Sequence, residues 1–505
     1  MSSAVSPRAA RRATILGGPN TVVGARLDGK GDFHGQVGSP LTDQSPCSNS
    51  ASSLEDGSGL PLVANTFSIP SDKHRTCHWA ETAFLMMAEF VGFAILSFPH
   101  AYATMGWVLG IAATLFVGLG YLYTSLVLWD LCLRHPESKS ICDIGKILCG
   151  KYGAIGFWFT ACMFVCNNIG IHVNLGGNFF QNVVLNGKSV GISARILGGL
   201  VATFLCLLCS LPRTLKVLSR FAMAAVASTV TCVVLAMIFI VNQGGPVDSS
   251  SGQAEGSADT VIAKGSMIVF SAWPSPEATF KDIMVAFLGI AFAFIGQITL
   301  PSFIAEMKDP RDFPKALYLS SFVQYSLFIT FALFMYKNIG LRDMTTITIG
   351  SLERTQLIIC FCFLLPSLII LGSLYATVAG LFILNSVESH ISKKRTKNIV
   401  WVVIIALLWG LAFTISQVIP QFDALLAIVG AIFDGFFGWI YWGVAWFRMR
   451  QADIHRKVPR VWGPRMDVAL GVVNFSLILI GMGLFLSVGS WASFAYLRDL
   501  EHNKN

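Results

Sequence analysis

The sequence predicts an all-α polytopic membrane protein of eleven transmembrane helices, with helices 1 and 6 broken and two sets of five arranged as an inverted repeat. Three observations predict it. Of 505 residues, 54% are hydrophobic and 13% charged, about half the charged share that a water-facing surface takes. Apolar runs of about 20 residues, long enough to cross a ~30 Å hydrocarbon layer, recur along the chain. Two of them carry the same kind of interruption, Gly92 to Pro99 and Gly296 to Pro301, with the prolines 202 positions apart.

Residues 1–78 are rich in Ser, Gly, Pro, Asp and Arg and lack hydrophobic periodicity. Such a stretch cannot bury enough apolar surface to offset ordering, so it is expected to be a disordered cytoplasmic tail. Residues 79–489 hold the membrane domain, with spans at 80–104, 106–132, 153–185, 192–211, 218–242, 282–305, 313–336, 357–386, 399–417, 420–446 and 466–489. Residues 490–505 form a short tail on the far side. Ile141, Ile144, Ile147 and Leu148 space a short interfacial helix before the third span, and the polar stretch 243–281 reads as a flexible outer loop.

An odd number of spans puts the termini on opposite sides, and basic residues decide which. With the N-terminus inside, the inner loops carry 20 of the 36 Lys plus Arg, among them Arg134, Arg213, Lys216, Arg220, Lys394, Arg448 and Arg450. The outer segments carry 9 and the tail 7, so the span interiors contain none, Arg195, Arg220 and Lys315 lying in the first turn of their spans. The formal charge of +8 therefore follows topology and meets lipid headgroups, with no indication of nucleic acid. None of the twelve cysteines lies in an outer loop, so no extracellular disulfide is expected.

A helix broken in lipid leaves amides and carbonyls that cost several kcal/mol each unless protein, water or a bound polar molecule satisfies them. Matched breaks in two halves of a chain therefore predict a solute site near the bilayer midplane. Five helices invert the sidedness of the next five, so homologous halves would be related by an axis in the membrane plane.

The segments Trp79–Thr82 through Gly92, Ile95–Pro99, Ala103–Trp107 and Phe303–Leu317 resemble the amino acid/auxin permease family, and within it the fungal neutral amino acid permeases of the methyltryptophan-resistance type. The resemblance covers roughly residues 79–489. It implies an eleven-span carrier in the inverted five-plus-five fold of the amino acid, polyamine and organocation transporters. It also favours the plasma membrane over the vacuolar membrane. Family members often carry a second glycine where Ala94 stands.

A zwitterion leaving water needs donors for its carboxylate and acceptors for its ammonium. The backbone N–H groups of Gly92, Phe93, Ala94 and Ile95 are candidates for the first, at a positive half-helix end. Carbonyls near Glu89, Phe90 and Ala291 to Phe294 are candidates for the second. Phe93, Phe292, Phe294 and Tyr375 could wall the side chain, although such aromatics are also common core residues. Asn167, Asn168, His172, Asn174 and Asn178 form a polar stripe in the third span, with Asn168 a binding candidate.

Charges within spans are costly and mark function by default. Glu89, one turn before the first break, Asp434 in the tenth span and His172 are the candidates for proton coupling. Sodium remains an alternative, with Ser373 and Thr377 supplying hydroxyls. Glu81, Arg213, Lys216, Arg220, Glu306, Lys308, Asp309 and Asp312 could close the inner entrance as ion pairs.

Metal, nucleophile and general-base motifs are missing, which argues against a membrane enzyme, and no cofactor is expected. The reading that results is a secondary active symporter of neutral, bulky aliphatic or aromatic amino acids. A non-transporting amino acid sensor is the rival.

Overall fold

The computed structural model describes residues 75–180, 183, 191–212, 215–243, 270–275, 277–341, 344–387, 393–419, 422–457 and 463–502. Most of the expected tail, most of the 243–281 loop, Arg213 and the side chains of Lys216, Arg220, Lys394 and Asp423 lie outside them. Among the described residues the regular elements are all helices, with one isolated parallel bridge between Cys77 and Met307.

The first membrane segment comprises α1 (Trp79–Phe90), a 3-10 turn (Phe93–Ser97) and α2 (Phe98–Met105). Then come α3 (Trp107–Arg134), α4 (Ile141–Phe179), α5 (Gly191–Cys209) and α6 (Leu215–Asn242). The second broken segment is α7 (Phe280–Phe292) and α8 (Leu300–Glu306). It is followed by α9 (Phe313–Ile339), α10 (Arg354–Val387) and α11 (Lys394–Val418). Two long rods end the chain, α12 (Phe422–Val429) to α13 (Tyr441–His455) and α14 (Pro464–Ile480) to α15 (Ser490–His502), each with a π-helical middle, Gly430–Ile440 and Gly481–Gly489.

Among the described residues, nine helical segments are long and apolar enough to cross a membrane. Ile196–Cys209 is a shorter apolar helix where a further span was expected, and 280–306 is divided into two short helices by its break. The last helix runs on to His502 through the expected terminal tail, and Lys281 ties it to α7 through Asp499.

Local chemistry sets the ends. His78 Nδ1 accepts from the Ala80 N–H while the Glu81 carboxylate accepts from the His78 N–H at 2.8 Å, capping α1. Ser140 with Asp143 and Thr279 with Asp282 start α4 and α7 by the same reciprocal arrangement. Pro99 and Pro301 each occupy the first turn of the half-helix after a break, where a missing N–H costs nothing. The expected interfacial helix is the start of α4, set off from the spanning part by Gly150 at φ 70°.

Leu85 to Pro99 and Ile290 to Pro301 are buried without exception, so both breaks sit at the centre of the bundle. Leu119, Phe204, Phe322 and Leu407 on the surrounding helices are 61% to 70% exposed. A face of that apolarity fits lipid, since contiguous apolar surface in water is rare.

At one end of the bundle the chain entering α1 is strapped to the chain leaving α8. The N–H groups of Thr76 and Cys77 donate to the Glu306 carbonyl at 2.9 and 3.0 Å, and the Lys308 N–H donates to the Cys77 carbonyl at 2.8 Å. Trp129 Nε1 donates to the Pro310 carbonyl at 2.8 Å beside it. Of the acidic residues expected to close this end, Asp309 accepts from the Arg311 N–H, Asp312 pairs with exposed Lys315, Glu81 caps α1, and the Glu306 carboxylate accepts from Cys77 Sγ at 3.8 Å. The stronger pairs at this end are Arg134 with Asp453 and Arg450 with Asp467, both at 2.6 Å.

Gly106 joins α2 to α3 at φ 79° and ψ 153°, a region open essentially to glycine alone. A Cβ there would stand 2.5 Å from the Trp273 carbonyl carbon. Gly106→Ala is expected to cost about 1–3 kcal/mol, read as a lowered unfolding midpoint of the detergent-solubilised protein.

Candidate functional site

The two breaks meet each other. Thr299 Oγ, in the turn before α8, lies 2.8 and 2.6 Å from the two oxygens of Glu89, one residue from the end of α1. The Gly296 backbone lies against the Phe90 ring, so closely that a Cβ would come within 2.2 Å of two ring carbons. Tyr375 of α10 lines the same cavity wall as Glu89. One carboxylate thereby joins the two broken segments.

The backbone groups released by the breaks are largely re-satisfied. Around the first, Ser97 Oγ donates to the Ala94 carbonyl at 2.8 Å and Thr348 Oγ to the Leu96 carbonyl at 2.6 Å. Around the second, the carbonyls of Ala291 and Phe292 accept from the N–H groups of Phe294 and Ile295, and Ala293 accepts from Gln324 Nε2 at 2.9 Å. The carbonyls of the second break expected to face an ammonium group, Ala291 to Phe294, are thus already engaged in the turn. On the side of the first break the Glu89 carboxylate is an acceptor placed to face one.

Between the breaks lies a cavity of about 20 Å³, lined by Glu89, Phe90, Gly92, Phe93, Ala94, Phe164, Asn168, Phe292, Ala293, Ile295, Leu371 and Tyr375. It holds about one water, so a larger solute needs the surrounding helices to move apart. On the side away from the strap, a vestibule of about 610 Å³ opens between α2, α7 and the last two rods, reaching Ser97, His100 and Gly289. The vestibule is the larger space by far, but its walls lack the break. A single 3-10 turn, Phe93–Ser97, contributes Ala94 to the cavity and Ser97 to the vestibule.

Of the sequence candidates, the structure brings Glu89, Gly92, Phe93, Ala94, Asn168, Phe292 and Tyr375 to the cavity. Ile95 and Ala291 are buried off its wall. Phe294 points into the core, its ring 6.3 Å from Tyr121 and 5.7 Å from Tyr325. His172 stands behind Phe93, with ring centres 4.8 Å apart. Its Nδ1 is 2.7 Å from the Asn168 carbonyl, which can only accept, so Nδ1 carries the hydrogen.

Asp434, next to Phe433 whose ring packs on Phe164, is not on the cavity wall but in the π-helical middle of its rod. Trp439 Nε1 donates to it at 3.3 Å, and a Cβ on Gly438 would collide with its Oδ1 at 1.8 Å. Asn167 and Asn168 bond carbonyls one turn back on α4, and Asn178 bonds Asn174. Ser373 bonds the backbone at Ile369 and Cys206, while Thr377 Oγ is buried without a partner. No group of three or more His, Cys, Asp or Glu that could hold a metal occurs among the described residues.

Phe164, Leu371 and Thr299 escaped the sequence reading, and Phe90 was expected for its carbonyl but not for the ring that lies against Gly296. The first two are single apolar letters in long apolar helices and carry no local signal. Thr299 did carry one, a hydroxyl three residues after Gly296 within an interrupted run.

A buried carboxylate held between two interrupted membrane helices, in an aromatic cavity beneath a one-sided vestibule, is the architecture of a solute carrier. The family model for transmembrane amino acid transporter proteins matches residues 75–487, and the chain belongs to that family of multi-pass membrane proteins. It is similar to the N amino acid transport system protein of Neurospora crassa, 23% identical over 435 residues, covering 84% of this chain and 86% of that one. A transmembrane transporter of Gibberella moniliformis is 23% identical over 381 residues, 74% of this chain and 75% of its own. Amino acid transporter AVT1H of Arabidopsis thaliana is 25% identical over 272 residues, 52% and 57%. The expected family resemblance therefore holds, with fungal and plant relatives.

Gly92 lies against α10, where a Cβ would sit 2.7 Å from Leu371 Cδ2. Gly92→Val is expected to abolish amino acid uptake with surface expression retained. Leu371→Ala in the same chain, which removes the colliding atom, is expected to restore part of it in a radiolabelled uptake assay.

Proposed function

We propose that the protein is a proton-coupled symporter of neutral amino acids with bulky aliphatic or aromatic side chains, working by alternating access. It crosses the membrane eleven times, as two inverted five-helix repeats plus one helix, with the N-terminus in the cytoplasm and the plasma membrane as its site. The Neurospora relative is named for amino acid transport, and the cavity chemistry extends that role to this chain.

The observation that carries the reading is Glu89. Its carboxyl group is buried and bonded to the Thr299 hydroxyl beside Tyr375, and no cation among the described residues pairs with it. Hydrogen bonds to a charged group contribute about 1.5–3 kcal/mol each, whereas the effective penalty for burying an ion is several kcal/mol. A proton on Glu89, or the ammonium of a substrate beside it, supplies what is missing. Either event changes the bond to Thr299 and hence the relation between the two broken segments.

The substrate carboxylate would meet the backbone of Gly92, Phe93 and Ala94. Phe93, Phe164, Phe292, Leu371 and Tyr375 would enclose its side chain. Those walls carry no charge apart from Glu89, which disfavours acidic side chains. The closed strap on one side and the open vestibule on the other are what one end-state of alternating access requires. Sodium as the driver has less support, because Ser373, one of its two hydroxyl candidates, already bonds its own helix.

The test is uptake in proteoliposomes with imposed proton or sodium gradients. Accumulation driven by an acidic exterior is expected. Binding without accumulation identifies a sensor, and accumulation that follows sodium alone removes the proton assignment. Glu89→Gln is expected to flatten the dependence of uptake on external pH while substrate exchange persists. An unchanged pH profile takes Glu89 out of coupling.

A further inference from the structure

Thirteen buried polar side-chain atoms among the described residues have no hydrogen-bond partner, and five of them lie along one seam. They are Tyr121 Oη and Ser125 Oγ on α3, Gln297 Oε1 in the second break, and Ser321 Oγ and Gln324 Oε1 on α9. Each of these residues is at most 2% exposed. Tyr121 and Ser125 approach one another on adjacent turns without meeting hydrogen-bond geometry. Five unmet groups in one place would offset much of a domain's stability, and polar cavities in proteins resolve that by holding water.

The seam is built, not incidental. Gln297 Nε2 donates to Thr124 Oγ at 2.9 Å, Gln324 Nε2 to the Ala293 carbonyl at 2.9 Å, and Tyr325 Oη to the Gly118 carbonyl at 2.6 Å. Each amide spends its nitrogen on holding α3, the break and α9 together and leaves its oxygen to accept. Tyr121, at one end, packs on Phe90 with ring centres 5.1 Å apart and feels the charge of Glu89. Ser125 and Ser321, one turn further along α3 and α9, lie toward the strap, where Arg134 ends α3 and Phe313 begins α9.

We infer that ordered water fills this seam and carries the proton of Glu89 to the strapped side of the membrane. The inference rests on proton coupling as proposed above. The Glu89 carboxyl releases its proton to a first water beside Tyr121; each water accepts one proton and passes another on. The hydroxyls of Ser125 and Ser321 accept and donate in turn, and the amide oxygens of Gln297 and Gln324 orient the chain by accepting. Titratable groups facing Glu89 are Tyr121 of α3 and Tyr375 of α10, with Tyr325 of α9 behind Tyr121 and His172 of α4 behind Phe93. No cation among the described residues faces it. Substrate reaches the same carboxyl from the vestibule side, so solute and proton would part at Glu89 by different routes.

The two processes separate experimentally, because exchange of labelled for unlabelled amino acid needs no proton release whereas net uptake does. Full-length protein in proteoliposomes with an internal pH dye reads both. The variant is Ser125→Ala with Ser321→Ala, which removes two hydroxyls at little cost in volume. It is expected to slow net uptake and proton entry by at least ~10-fold, in line with the loss of a proton-transfer path, while exchange stays within about twofold. Wild-type net uptake and proton entry in the serine variant overturn the route and leave proton coupling standing. A wild-type protein that accumulates amino acid without proton entry overturns the coupling itself. Equal loss of exchange and net uptake in the serine variant also overturns the route, since the seam then serves substrate movement.

Discussion

The bilayer forbids an unpaired peptide group, and this protein interrupts two membrane helices all the same. Everything at its centre follows from how those interruptions are supported. Side chains from outside the broken segments supply the missing partners: Thr348 reaches the Leu96 carbonyl and Gln324 the Ala293 carbonyl. The breaks then support each other, through Thr299 on Glu89 and the Phe90 ring on Gly296. A helix break in water would need none of this, because solvent would complete it.

This arrangement explains why glycine, proline and a carboxylate recur at the same places. Gly296 lets an aromatic ring approach the backbone, and the prolines restart helices at a position where their missing N–H is harmless. Glu89 gives both segments a common partner whose bonding changes with a proton or an ammonium group. Structure and proposed chemistry thus draw on the same few residues.

The helical class, the position of most spans and both breaks were legible in the sequence, because hydropathy and the Gly-to-Pro interruptions are local signals. That Glu89, Gly92, Phe93, Ala94, Asn168, Phe292 and Tyr375 would gather at the cavity between the breaks was legible for the same reason: each lies at a break or stands out against an apolar helix. Phe164 and Leu371 were not, since which face of a long apolar helix looks inward is fixed by tertiary packing. Phe294 was misdirected by one turn of irregular backbone, where helical phase no longer tells which way a ring points. The strap between Cys77 and Glu306 was not legible, because charges are visible in a sequence whereas a pairing of peptide groups leaves no letter behind.

That strap has a consequence for how the molecule rests. Three peptide hydrogen bonds hold the approach to α1 onto the exit of α8, each contributing about 0.5–1.5 kcal/mol net. Releasing all of them costs about 2–4 kcal/mol on that scale, enough to keep a rival conformation at the per cent level or below. The hydrogen bonds reside in main-chain atoms, so the identity of Thr76 can drift while the balance between conformations stays put, whereas the buried side chains of Cys77, whose Sγ reaches the Glu306 carboxylate, and Met307 anchor the strap as well. Evolution could respell one letter of this latch without touching its tension.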